Sequence, residues 1–262
     1  MDDIRVSSWN ELNERLYEES WRESIGRFRS NFAFRGMPDA SYNLGTSLIR
    51  LGGVPDHLED HLLRTFQRYA RRYDVPVDSV WNLLAVGQHH GLATRLLDWT
   101  YSPYVAMHFA TEDLGRFEVD GVILCVDYVK MNRFLPDRLK MILEEEGANV
   151  FTAEMLSRGA STLEEFDALA DMEFVAFFEP PSLDDRIVNQ FALFSLMSSA
   201  SASLDRWLAE NPELFRRIII PAPLKWEVRD KLDQANITER VLMPGIDGLS
   251  RWINRYYSPR PR

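Results

Sequence analysis

The sequence predicts an α+β protein. Capped, helix-periodic segments dominate the first part of the chain. Short apolar runs of strand character dominate the second. The two kinds of segment do not alternate regularly, as a parallel α/β sheet would require. No repeat, low-complexity stretch or Gly/Ser/Pro linker divides the 262 residues, so one domain over 1–262 is expected.

The elements follow in order. Ser8-Trp9-Asn10-Glu11 reads as a capping box, in which a hydroxyl and a carboxylate each meet a free backbone N–H. Trp9, Leu12 and Leu16 continue it at helical spacing. Asn31 to Gly36 alternates as a short strand, with Phe32 and Phe34 on one face and Ala33 and Arg35 on the other. Gly36 permits a turn or a close ligand approach, and Met37 to Leu48 is read as an irregular connection. A helix starts at Asp56, with Leu58, Leu62, Phe66 and Tyr69 as its apolar stripe.

A further helix starts near Asp78 and ends around His89 to Gly91, since Gly is favoured just past a helix end. Ser102-Pro103 caps the next, whose expected buried side is Val105, Ala106, Phe109 and Ala110. Strands are expected at 121–126, 173–178, 191–196 and 217–220, and helices at 204–209 and 225–234.

Bulk properties exclude several function classes. A lone cysteine, Cys125, rules out a disulfide framework or a cysteine-rich metal site and favours a reducing compartment. No apolar run approaches a membrane span, and Met1-Asp2-Asp3 does not open a signal peptide, so a cytoplasmic protein is expected. A formal charge of -10 argues against broad, charge-driven nucleic-acid binding. Arg251, Arg255, Arg260 and Arg262 read as a solvated tail, and Glu144 to Glu146 as a solvent-facing charge run.

Chemically capable residues concentrate between Gln88 and Thr100, a run holding His89, His90, Thr94, Arg95, Asp98 and Trp99. Such density on a connector marks a binding or catalytic loop. Adjacent histidines point in different directions, so one metal ion held by both His89 and His90 is not expected. Arg95 and Asp98 could pair with each other. Arg35, on a strand and followed by Gly36, can present a planar fork to a phosphate or carboxylate. Asn189 and Gln190 can read a ribose or a base edge, and Glu179 is the best-placed acid outside the main run. P-loop, GxGxxG and GxSxG patterns are absent.

Taken together these blocks resemble the FRG domain family. The resemblance rests on Phe34-Arg35-Gly36, and on Gln88 to Pro103 running into Val105 to Ala110. Arg186 to Phe194 adds to it, with Ala192 where the pattern often has Gly, as does Met243 to Leu249. The FRG pattern is in turn similar to the mono-ADP-ribosyltransferase layout. That similarity implies an ADP-ribosyltransferase-like mixed β core with a helical N-terminal part, its motifs between about residues 30 and 200.

The resemblance also implies NAD as substrate, with ADP-ribose transferred to a macromolecule, RNA ahead of protein. It implies a toxin or phage-defence role, a neutralising antitoxin protein as partner, and neither membrane nor metal. Arg35, Asp98, Glu179 and Gln190 are the implied catalytic residues. Arg35, Gly36, His89, His90, Thr94, Trp99, Thr100 and Ser102 would bind NAD. Many transferases carry Glu where Gln190 stands, so another acid, Asp98 or Glu179, would serve. Two rival readings are a nuclease using His89, His90 and Asp98, and a nucleotide-binding module without chemistry.

Overall fold

The computed structural model describes residues 3–70, 78–182 and 184–260. Its strands are β1 (Ile4–Arg5), β2 (Trp21–Arg22), β3 (Arg27–Phe28), β4 (Phe32–Met37), β5 (Leu97–Thr100), β6 (Gly121–Asp127), β7 (Val175–Phe178), β8 (Ala192–Met197) and β9 (Phe215–Ile220). Seven of them form one sheet in the order β1-β9-β6-β4-β5-β8-β7, while β2 and β3 form a separate ribbon. Among the described strands of this sheet β1 and β9 pair in parallel and the other neighbours antiparallel, with one isolated parallel bridge from Phe151 to Phe178.

Alternation along the strands assigns each face to a layer. Phe32, Phe34, Ile123, Cys125, Ile218 and Ile220 point to one face. There they meet the helices Trp9–Tyr17, Pro103–Ala110 and Ala222–Gln234 through Leu12, Leu16, Ala106, Met107, Ala110, Val228 and Leu232. Ala33, Val122, Leu124, Leu97, Trp99 and Leu193 face the other way, onto Trp207 and Leu208 of the helix Leu204–Glu210. A third cluster joins Phe178, Phe194 and Leu196 to the helices Val80–His89, Asp137–Glu146, Ala153–Gly159 and Leu163–Asp167. β6 sits inside the sheet with every residue buried, which explains its unbroken apolar run.

Several expectations need correction. Strands do not dominate the second half, because helices at Asp137–Glu146, Ala153–Gly159 and Leu163–Asp167 intervene, and Ile246–Tyr256 is also helical. The signal for the first of these was present: Leu139, Ile142 and Leu143 share one helical face and are buried. Glu144 to Glu146 are exposed, as expected, at that helix's end, and two of them pair with Arg158.

The stripe on Pro55–Ala70 is rotated from the expected one. Glu59, Leu63 and Ala70 are buried, whereas Tyr69 is exposed. The reason is polar: Glu59 is drawn inward by Arg95. Arg255 does not belong to a solvated tail either. It is buried and ion-paired with Asp233 and Glu239. Arg251 and Arg260 are exposed, and Arg262 lies outside the described residues. Among the described residues no helix is long and apolar enough to cross a membrane.

Gly36 has a packing role. A Cβ built there would lie 1.8 Å from the Ala106 carbonyl oxygen, so β4 and the helix Pro103–Ala110 touch backbone to backbone. Helix and strand would have to separate to admit a methyl group. We therefore expect Gly36→Ala to lower stability by at least about 1–3 kcal/mol, read as a drop in the thermal unfolding midpoint. An unchanged midpoint would contradict this packing.

Candidate functional site

The sheet splits where its two central strands meet. β4 pairs with β6 over six residues and β5 with β8 over four, yet β4 and β5 share the single register pair Phe34 and Thr100. Beyond that pair a cavity of about 620 Å³ opens. Arg35, Gly36, Met37 and Pro38 form one lip, and Asp98, Trp99 and Thr100 the other. The volume lies within the usual range for a small-molecule site.

Arg35 spans the split. Its Nη1 donates to the Asp98 carbonyl oxygen, while its buried Nε has no partner. Burial pulls the guanidinium pKa below its ordinary value; Asp98 works against that shift and Arg50 adds to it. Two guanidinium groups that repel one another across a cavity favour an anion between them. Arg50 and Arg186 also line the cavity, facing Asp98 and Glu112 as the acids. Cations thus outnumber acids here, within a chain of net charge -10.

Asp98 is held by a relay. Gln88 Nε2 donates to its Oδ2 at 2.7 Å, and Thr94 Oγ1 donates to Gln88 Oε1 at 2.6 Å. The Thr94 hydroxyl therefore fixes which end of the Gln88 amide faces the carboxylate. Thr94 is fully buried and takes a second anchor from Ser47 Oγ, which accepts from its N–H. It positions Gln88 and does not line the cavity. Gln88, Arg50, Arg186, Asn43, Phe109 and Glu112 were not among the expected site residues, although all line the cavity. Phe109, expected on the buried side of its helix, is half-buried and lines the cavity.

The lips are fastened from outside. Lys225 Nζ donates to the carbonyl oxygens of Pro38 at 2.6 Å and Arg116 at 2.7 Å, and burial lowers its pKa to about 8. On the other lip, Thr100 Oγ1 donates to the Gln190 carbonyl oxygen at 2.6 Å. Gln190 lines the cavity, but its Nε2 donates to the Leu242 carbonyl oxygen, so its amide nitrogen is committed to the C-terminal region.

Other expected site residues lie elsewhere. Trp99 contributes to the wall, but its indole is 3 % exposed, edge-on to Phe177 and donating to Ser195 Oγ. It is a core residue and not an open aromatic plate, because strand alternation turns it away from Asp98. His89 Nε2 meets Asp184 Oδ2 at 2.6 Å and stands outside the cavity, as does His90, the C-cap of its helix. Asp184 is held below its ordinary pKa: partial burial opposes this, but the Ile187 N–H and His89 outweigh it. Ser102 caps Pro103–Ala110 by accepting from the Val105 N–H. Glu179 is likewise absent from the cavity and accepts from the Tyr101 hydroxyl at 2.9 Å. Arg95 does not pair with Asp98; it is buried between Glu59 and Asp167. Among the described residues no group of three His, Cys, Asp or Glu is placed to hold a metal ion.

No curated protein and no solved structure matches the chain. Residues 30–118 match the family model of the FRG domain. That stretch carries Arg35, Arg50, the Gln88–Asp98 relay and Phe109, and it ends before Arg186 and Gln190. This match supports an FRG domain over residues 30–118, about a third of the chain.

Proposed function

We propose that the cavity between β4 and β5 binds NAD and that the protein is a mono-ADP-ribosyltransferase. The observation that supports this best is Arg35, a desolvated guanidinium with an unpartnered Nε, set beside Arg50 in a cavity of nucleotide size. In this reading Arg35 and Arg50 hold the pyrophosphate. Phe109, which lines the cavity, offers an aromatic wall for the nicotinamide or adenine ring. Breaking the nicotinamide–ribose bond builds positive charge on the sugar, as glycoside hydrolysis does. The Asp98 carboxylate, fixed by Gln88, faces that charge and stabilises it.

His89 pairs with Asp184 and does not line the cavity that Asp98 lines, so this cavity lends no support to the nuclease reading. The committed amide of Gln190, where a transferase would carry Glu, favours as second reading a module that binds nucleotide without reacting. Isotope-labelled NAD incubated with the purified chain and a cell lysate separates the two. The expected result is label in a macromolecular fraction, RNA ahead of protein, with matching release of nicotinamide. Tight calorimetric binding of NAD without nicotinamide release would reject transfer and select the module. A toxin role with an antitoxin partner belongs to the same proposal, and its check is growth arrest on expression that Arg35→Ala relieves.

A further inference from the structure

The ribbon formed by β2 and β3 stands apart from the main sheet. Trp21 lies opposite Phe28 and Arg22 opposite Arg27, so the ribbon has an aromatic face and a cationic face. The two rings meet edge to face at 5.1 Å, and Trp21 and Phe28 are 48% and 59% exposed. Ile25, in the turn closed by Gly26, is exposed as well. Aromatic rings paired across a strand normally seek cover, and these remain about half exposed.

On the cationic face Arg27 is exposed and Arg22 half-buried, and the neighbouring Arg29 is exposed. Residues 20–30 hold three arginines, Arg22, Arg27 and Arg29, against one acid, Glu23, in a chain of net charge -10. Like charges directly opposite one another destabilise a ladder. A two-stranded ribbon is marginal already. The nearby acids do not relieve the arginines: Glu18 pairs with Arg15 and Arg216, and Glu19 with Lys130 and Arg216. Arg22 and Arg29 instead donate to the backbone carbonyls of Arg29 and Phe28. Among the described residues no carboxylate forms an ion pair with Arg22, Arg27 or Arg29.

We propose that this ribbon binds single-stranded nucleic acid, with Trp21 and Phe28 stacking on bases and Arg22, Arg27 and Arg29 holding phosphates. A single strand supplies both needs at once, since flat apolar bases and anionic phosphates alternate along it. A phosphate between Arg22 and Arg27 removes their repulsion. A duplex hides its base faces and satisfies only the arginines. The assignment does not depend on what the β4–β5 cavity binds.

The test is fluorescence anisotropy with a labelled single strand of about 16 nucleotides, a duplex of equal length, and anionic vesicles as comparison. The wild-type chain binds the single strand in preference to the duplex, and its affinity falls steeply between about 50 and 200 mM salt. Trp21→Ala and Phe28→Ala each weaken binding by about tenfold at every salt concentration. Arg27→Ala lowers the salt slope by about one. Should Trp21→Ala unfold the ribbon, Arg27→Glu keeps the aromatic pair and must still weaken binding. No binding of the single strand at low salt overturns the proposal, as does binding that survives both Trp21→Ala and Arg27→Glu. Binding to vesicles alone, lost in the same variants, also overturns it and makes the ribbon a membrane-surface element. NAD takes no part in the measurement, so its outcome is separate from that of the transferase reading.

Discussion

Arg35→Ala is expected to lower the affinity of the cavity for its proposed ligand, NAD, by about ten- to a hundredfold. The size follows from losing charge-assisted hydrogen bonds worth about 1.5–3 kcal/mol in a partly desolvated site. Arg35→Lys recovers only part of the loss, because an ammonium lacks the guanidinium fork. Asp98→Asn behaves differently. The new amide oxygen can still accept from Gln88 Nε2, so the relay through Thr94 keeps its geometry. NAD binding is then retained while transfer falls by about 10²–10³-fold, the scale expected when a preorganised electrostatic partner of a transition state is removed. Calorimetry and nicotinamide release measured on the same samples read the two effects separately. Unchanged affinity in Arg35→Ala removes the pyrophosphate role. Unchanged turnover in Asp98→Asn moves the charge-stabilising role to Glu112, the other acid lining the cavity.

The largest expected loss of stability comes from Arg95→Ala. Arg95 is 4% exposed and ties Glu59 on the helix Pro55–Ala70 to Asp167 on the helix Leu163–Asp167. Removing it leaves Glu59, itself 2% exposed, as a buried unpaired carboxylate. Breaking such a pair costs about 3–5 kcal/mol, a large share of the roughly 5–15 kcal/mol that holds a domain together.

The pH dependence has a definite sign. Burial raises the carboxyl pKa of Glu59 and of Asp167 above their ordinary values even with Arg95 present to lower them. A carboxyl whose folded pKa is raised binds its proton more tightly in the folded state, so its contribution to stability falls as pH rises from the unfolded value through the folded one. Without Arg95 both values rise further. Arg95→Ala therefore regains part of its lost stability on acidification from about pH 7 to about pH 5, before general acid unfolding sets in. The double variant Arg95→Met with Glu59→Leu is more stable than Arg95→Ala at neutral pH, because the fully buried carboxylate is gone and only the half-buried Asp167 is left unpaired. Thermal unfolding across that pH range checks both statements. A pH-independent deficit in Arg95→Ala shows that Glu59 and Asp167 are solvated once Arg95 is gone.

How much of this was legible beforehand depended on whether the signal was local. The cap at Ser8 and the one at Ser102-Pro103 are local hydrogen-bond chemistry, and both are found. Gly91 past the end of Val80–His89 has φ +82°, the left-handed conformation that glycine favours. The alternation of Phe32, Ala33, Phe34 and Arg35, and the apolar run of β6, likewise appear as strands. Asp98 and Arg35 were marked by residue type and by the motif, and they line one cavity.

What remained hidden was set by contacts distant in sequence. Strand alternation buries Trp99 against Ser195, which lies 96 positions away, and so takes its ring out of the ligand-binding part that the resemblance implied. Glu59 turns inward only because Arg95 and Asp167 meet it in space, and this rotates a helix whose apolar pattern pointed elsewhere. Arg255 is buried for a similar reason, since Asp233 and Glu239 satisfy its guanidinium. Arg50 enters the cavity from a segment with no motif of its own, and Arg186 from one 88 positions beyond Asp98. The sequence by itself determined which segments become helix or strand where caps and periodicity are strong, and which residues can bind an anion. Tertiary structure alone decided which of those residues share a cavity, because a side chain's direction is fixed by strand pairing and by charged partners far along the chain.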